Sequence, residues 1–236
     1  MSNYTKNYLT KVEEKNIVNS VMTNVFTLMT LALAVTGTVS YYIMGNEELL
    51  IKLVSNSNLF LTICGAELLL VFVLSLAINK LSFSAAMIIF AIYSVINGVT
   101  LAPLMFMYTQ ESIIATFFIT AATFGAMAVF GYTTKHELSG IGRILIMSLI
   151  GLIIASVVNL FLKNNMMESI INYAGVAIFI GLTAYDTQKI KNIVQENISN
   201  NDGISVPKIA VIGALTLYLD FINLFIKLLR IMGKRK

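Results

Sequence analysis

Long apolar runs alternate with short polar breaks along nearly the whole chain. A helix needs about 20 mostly apolar residues to cross bilayer hydrocarbon. Seven runs of that length stand at roughly 24–44, 59–79, 82–106, 112–132, 142–162, 169–188 and 208–231. Each is far longer than the segment of about ten residues that builds a barrel strand, and none alternates as such a strand must. The pattern predicts an all-α integral membrane protein. A polar N-terminal segment, 1–23, is read as cytoplasmic, one seven-helix membrane domain covers 24–231, and a basic tail occupies 232–236. The longest break, QKIKNIVQENISNNDGISVP (188–207), reads as a polar connector ending at Pro207. No short apolar stretch with a small-residue cleavage site follows MSNYTKNYLTKVEEKN, so no removable signal peptide is expected.

Inside the runs the polar residues recur with helical spacing. Thr216, Asp220, Asn223 and Lys227 fall on one face of the last span. Thr183, Asp186 and Thr187 share a face of the sixth, and Ser94, Asn97 and Thr100 share one of the third, just before Pro103. Such stripes should turn inward and line a common polar core. Small residues four apart (Ala121/Gly125 and Ala122/Ala126) and the nearby Gly181 and Ala184 suggest close helix approach.

Composition agrees with the pattern. The chain of 236 residues is 57% hydrophobic and 12% charged, where soluble domains carry about 25% charged residues. The net charge of +4 resides in the tail and the connectors, which excludes a nucleic-acid partner and leaves the lipid bilayer. The lone Cys64 reads as a small buried hydrophobe, and the lone His136 as a solvated connector residue; no zinc motif exists. Nor is there a phosphate loop or another nucleotide motif, so no tightly bound cofactor is expected. With the N-terminus inside, the inner segments hold Lys6, Lys11, Lys15, Lys80, Lys135, Arg143, Lys189, Lys191 and Lys208, and the outer loops only Lys52 and Lys163. The tail cations Arg230, Lys234, Arg235 and Lys236 oppose this bias. Either the last helix overrides the rule or it is re-entrant. The short termini and the Asn-, Ile- and Lys-rich style suggest a bacterial inner membrane.

Three of the twelve acids lie within apolar spans: Glu67, Asp186 and Asp220. Asp220 has six uncharged residues on each side. A charge at mid-bilayer costs at least ~2.5 kcal/mol, so such a residue is a functional candidate by default. The structural alternatives are a helix-end residue reaching headgroup water for Asp186, a hydrogen-bond anchor for Asp220 and a packing bond for Glu67. No Lys or Arg lies deep in a span to neutralise them; Lys227 could at most approach Asp220 from the end. Unpaired acids at low dielectric protonate, share a proton or bind a cation. Ca²⁺ prefers oxygen ligands, which Asp186, Asp220 and Glu67 would supply. Thr216, Asn223 and Asn97 would add hydrogen-bonding groups along the same path. The residues thus read as a pH-sensitive cation pathway for Ca²⁺ and protons.

GLTAYDTQKIK (181–191), ALTLYLDFINLFIKLLRIMG (214–233) and NGVTLAP (97–103) resemble the transmembrane Bax-inhibitor-motif family, in its bacterial branch. The resemblance runs from the third helix to the last. It implies a seven-helix fold with the last helix central, and a Ca²⁺ leak controlled by pH. Asp186 and Asp220 match the family's proton-sharing, pore-gating aspartates, and Glu67 a glutamate near the pore. Some members carry an arginine about three turns after that glutamate; this chain has LAINKLS there, where only Lys80 could substitute, and Lys lacks the bidentate fork. The main alternative is a non-conducting regulator that binds another membrane protein, such as a membrane protease. A proton-coupled transporter finds no internal repeat to support it. An intramembrane aspartyl protease would need a Gly-x-Gly-Asp turn, whereas Leu217, Tyr218 and Leu219 precede Asp220. The chain is therefore read as a non-enzyme.

Overall fold

The computed structural model describes residues 3–78, 80–200 and 206–236. Asn79 of the LAINKLS stretch, residues 201–205 of the predicted connector, and Met1 and Ser2 of the N-terminal segment lie outside the described residues. Eight helices occur in order among the described residues: α1 (Asn3–Met44), α2 (Glu47–Ser55), α3 (Ser57–Ala77), α4 (Phe83–Phe106), α5 (Gln110–Thr133), α6 (Ser139–Leu162), α7 (Asn165–Asn200) and α8 (Val206–Met232). All but α2 are long and apolar enough to cross a membrane, so the seven predicted spans are all present. Asp220 sits on the most enclosed of them. In the most apolar window of α8, 72% of residues are buried, against 6% in α3 and α6, whose outward faces are left to lipid.

Three boundaries differ from the pattern. α1 starts well before residue 24, with Val18, Val21 and Met22 already buried. α7 continues past residue 188 to Asn200, because Ile190 and Val194 carry its apolar face into the polar stretch and are buried. α2 lies in an expected connector. Its nine residues are too few to span, but they bury Leu50 and Leu53, with Glu47 and Glu48 in the first turn and Lys52 in the last, as the helix dipole favours. Asn46 and Asn56 cap α2 and α3 by accepting from the backbone N–H of Leu49 and Leu59.

Close packing divides the chain into two units, each built by itself. The first comprises α1 to α4 as far as Pro103, the end of α7 from Ile190, and the start of α8 to Leu215. Here α1 and α4 approach closely at Gly98, where a Cβ would stand 2.8 Å from the Thr36 carbonyl oxygen. The hydroxyls of Thr36 and Ser40 reinforce the contact by donating to the carbonyls of Ser94 (2.8 Å) and Gly98 (2.7 Å).

The second unit comprises Leu104–Lys189 and Thr216–Lys236. Gly131 of α5 lets that helix meet the backbone of Ala184 in α7, Gly142 of α6 receives the Tyr185 ring, and Gly181 receives Leu145. By contrast, a Cβ on Gly125 would meet nothing within 4 Å, so the small-residue pairs of the fourth span do not mark the contact expected there. Phe221 of α8 packs edge-on between Phe117 and Phe124 of α5, with centroids 5.7 and 5.5 Å away.

The same unit decides the side of the tail. Thr109 N–H donates to the Lys234 carbonyl (3.0 Å), and Lys236 N–H donates to that of Met107 (3.0 Å). Tyr108 and Arg235 thereby form an antiparallel bridge. Lys234 N–H also reaches the Ser112 hydroxyl at 2.9 Å, and the Lys236 ammonium lies 4.6 Å over the Phe106 ring. The tail is therefore on the same side as the α4–α5 connector, which requires α8 to cross fully rather than re-enter. Its 27 residues span about 40 Å, ample for that. In a Cys64→Ser background, Thr109→Cys and Lys234→Cys should react with a membrane-impermeant thiol reagent from the same face. Labelling from opposite faces would refute the crossing.

Candidate functional site

α7 and α8 run antiparallel along one seam of the second unit. Glu168 near the start of α7 pairs with Arg230 near the end of α8, Gly175 meets Lys227, and Asp186 meets Asp220. The two acids that the sequence singles out thus face each other, near enough for their carboxyl groups to interact. An ionised carboxylate only accepts, so a bond between the two would require a proton on one of the pair. Asp186 is half-buried, and Asp220 is 5% exposed. Asp220 Oδ2 is buried with no hydrogen-bond partner among the described residues. An orphan buried acceptor costs about 1–3 kcal/mol.

Several polar neighbours of the pair have already spent a hydroxyl or amide hydrogen elsewhere. Thr183 and Thr187 are buried beside Asp186, yet their hydroxyls donate to the carbonyls of Phe179 and Thr183 on their own helix. A hydroxyl has one proton to give, so neither can also donate to Asp186. Asn223, expected to tune the pair, spends an amide hydrogen on the Leu219 carbonyl at 2.8 Å. Thr216 is half-buried one turn before Asp220. Lys189 is exposed, with its ammonium 5.7 Å above the Tyr185 ring.

Gln188, which the sequence does not single out, fastens α7 to the α5–α6 connector. Its Nε2 donates to the His136 carbonyl and its Oε1 accepts from Leu138 N–H, both at 2.8 Å. The His136 side chain is exposed, as a connector residue should be. An amide two residues after an intramembrane acid is the only hint of this clasp in the sequence. Gly131, Gly142 and the three phenylalanines had no readable signal, since each matters through what it touches.

Glu67, Asn97 and Thr100 lie in the first unit. Glu67 Oε1 accepts from Asn97 Nδ2 and from Thr100 Oγ1, each at 3.0 Å, which ties α3 to α4. The carboxyl is half-buried and hydrogen-bonded to the stripe predicted on the third span. This is the packing bond set out above as its structural alternative. Cys64, one turn earlier, is only partly buried, because α3 turns that flank towards lipid. Among the described residues no three His, Cys, Asp or Glu side chains converge. Any cation at the aspartates would therefore need carbonyl or water oxygens as well.

The model of a family described as "Inhibitor of apoptosis-promoting Bax1" matches residues 18–236. The chain is 45% identical to the inner membrane protein YbhL of Escherichia coli K12 over 215 residues, 91% of this chain and 92% of that protein. It is 41% identical over 224 residues to an uncharacterized protein of Borreliella burgdorferi, covering 95% and 96% of the two chains. It is also 39% identical over 219 residues to an uncharacterized membrane protein of Streptococcus pyogenes serotype M1, covering 92% and 93%. With seven apolar spans, an aspartate pair on the last two and a family match over nearly its whole length, this chain is an integral membrane protein of the Bax inhibitor family.

Proposed function

We propose that the protein is a pH-sensitive Ca²⁺ leak pathway of a bacterial inner membrane, with its N-terminus cytoplasmic. The observation that carries this reading is the facing aspartate pair, with one Asp220 oxygen buried and unpartnered among the described residues. With one proton shared, the pair ties α8 to α7 and the path is closed. As pH rises the last proton leaves, two negative charges face each other at low dielectric, and the seam parts. Protons thus act as the regulating ligand, and Ca²⁺ is the ion that gains most from two exposed carboxylates. Thr216 and Asn223 would supply further oxygens along the route. The inner-membrane name of the E. coli relative supports the location.

The test is Ca²⁺ entry into dye-loaded liposomes that contain purified protein. Flux above empty vesicles, followed from about pH 6 to pH 8, should rise with pH as the pair gives up its last proton. No flux at any pH would reject the pathway.

A second reading, a non-conducting regulator of another membrane protein, has one observation in its favour. α1 leaves Ser20, Thr23, Asn24 and Thr27 exposed, where α6 exposes Ile144, Met147, Ile153 and Ile154. A polar outward face suits a neighbouring helix better than lipid. Proteolysis is disfavoured, because α7 and α8 pass through Asp186 and Asp220 as unbroken helix and open no backbone for a substrate.

A further inference from the structure

The gating scheme leaves Lys227 of the α7–α8 seam unused. Lys227 follows Asp220 by seven residues, about 10 Å further along α8. It is half-buried, and its stem lies on α7. A Cβ built on Gly175 would stand 3.0 Å from both Cδ and Cε of the lysine. Glycine at 175 thus leaves room for the lysine stem, which a Cβ there would displace by a few tenths of an ångström. On the same face of α7, one turn nearer its start, Asn172 is 4% exposed. Its Oδ1 is buried with no hydrogen-bond partner among the described residues. One turn beyond, Glu168 and Arg230 approach to 3.8 Å, and these two are the charges that act on Lys227.

Along α7, then, a carboxylate, an orphan amide oxygen and a gap follow in order at 168, 172 and 175, beside a tethered ammonium. Burying an ammonium part-way down a membrane helix is unfavourable, and so is leaving a buried acceptor unpaired. The two are a helical turn apart and complementary.

We propose that Lys227 is the charge barrier at the mouth of the cation pathway on the tail side. Its ammonium moves between an outer berth at Glu168 and an inner berth at Asn172 Oδ1, and it sets which cations pass and how fast. The inference rests on the cation-pathway reading and adds a selectivity element to it. The stripe Asp220, Asn223, Lys227 leads from the aspartate pair to this end of the seam, so an ion passing between the pair and this mouth meets the ammonium. The repulsion grows in proportion to the ion's charge. A barrier that slows K⁺ by some factor therefore slows Ca²⁺ by about the square of that factor.

The experiment compares Ca²⁺ and K⁺ entry into liposomes for the full chain and for Lys227→Met, Lys227→Gln and Lys227→Arg. Met keeps the apolar stem and removes the charge, Gln is a second neutral form should the Met protein fail to fold, and Arg keeps the charge. Neutralisation should raise K⁺ flux about threefold and Ca²⁺ flux about tenfold, with Arg close to wild type. Equal flux of both ions in the neutral variants and wild type overturns the barrier while leaving the pathway intact. So does an equal change in the Met and Arg variants, which would assign the effect to the stem. Wild-type protein with no flux of either ion overturns the pathway and the barrier together.

Discussion

Replacing Asp220 by Asn flattens the pH dependence of Ca²⁺ flux and leaves the protein folded. The amide still reaches Asp186 by a hydrogen bond, so the contact between α7 and α8 survives. What is lost is the second negative charge. With only one ionisable partner, raising the pH produces no like-charge pair across the seam and no force to part it. Wild-type flux should climb between about pH 6 and pH 8, and the variant should stay level across that interval within about twofold. Asp186→Asn should behave in the same way, because the switch belongs to the pair. Thermal stability should not fall. Asp220 is almost wholly buried with an unpartnered oxygen, so removing the ionisable group removes a burial cost as well as a function. An unchanged pH profile in both variants would end the gating account, and the acids would then be hydrogen-bond anchors.

The second large effect is on packing. Gly131→Leu should destabilise the protein severely, whereas Gly125→Leu in the same helix should not. The Cβ of residue 131 would run into the backbone of Ala184, which cannot swing aside as a side chain would. Overpacking of this kind costs typically 1–3 kcal/mol, and the rigid obstacle places Gly131 at or above the top of that range. At Gly125 the same leucine enters open space, and substitutions of that sort stay within about 0.5 kcal/mol. Thermal unfolding in detergent separates the two, and comparable melting of both would refute the contact. Ala184 is two residues from Asp186, so any Gly131→Leu protein that folds should also lose the pH response.

The clasp and the tail show why a site can be plain in sequence while its setting is not. Asp220 stands out because a carboxylate among apolar neighbours violates a local rule. The helical spacing that aligns it with Asn223 and Lys227 is equally local. Gln188 violates nothing. It is a polar residue at the end of an apolar run, and its importance lies in two backbone groups near residue 137 that only the folded chain brings to it. Glu67 shows the opposite case. The local rule marked it as a pathway ligand, and folding supplied Asn97 and Thr100 as its partners.

The sequence alone determined the seven spans, the all-helical class, the family resemblance and the two aspartates. Each of these follows from residues near one another in the chain, through hydrophobic run length, helical period and the cost of charge in hydrocarbon. Tertiary structure decided the pairing of Asp186 with Asp220, the close helix approach at Gly131 instead of Gly125, the helix hidden in the first connector, and the side of the tail. All of these are contacts between residues distant in the chain. A one-dimensional pattern records how apolar a residue is, but not which partner fills the space beside it.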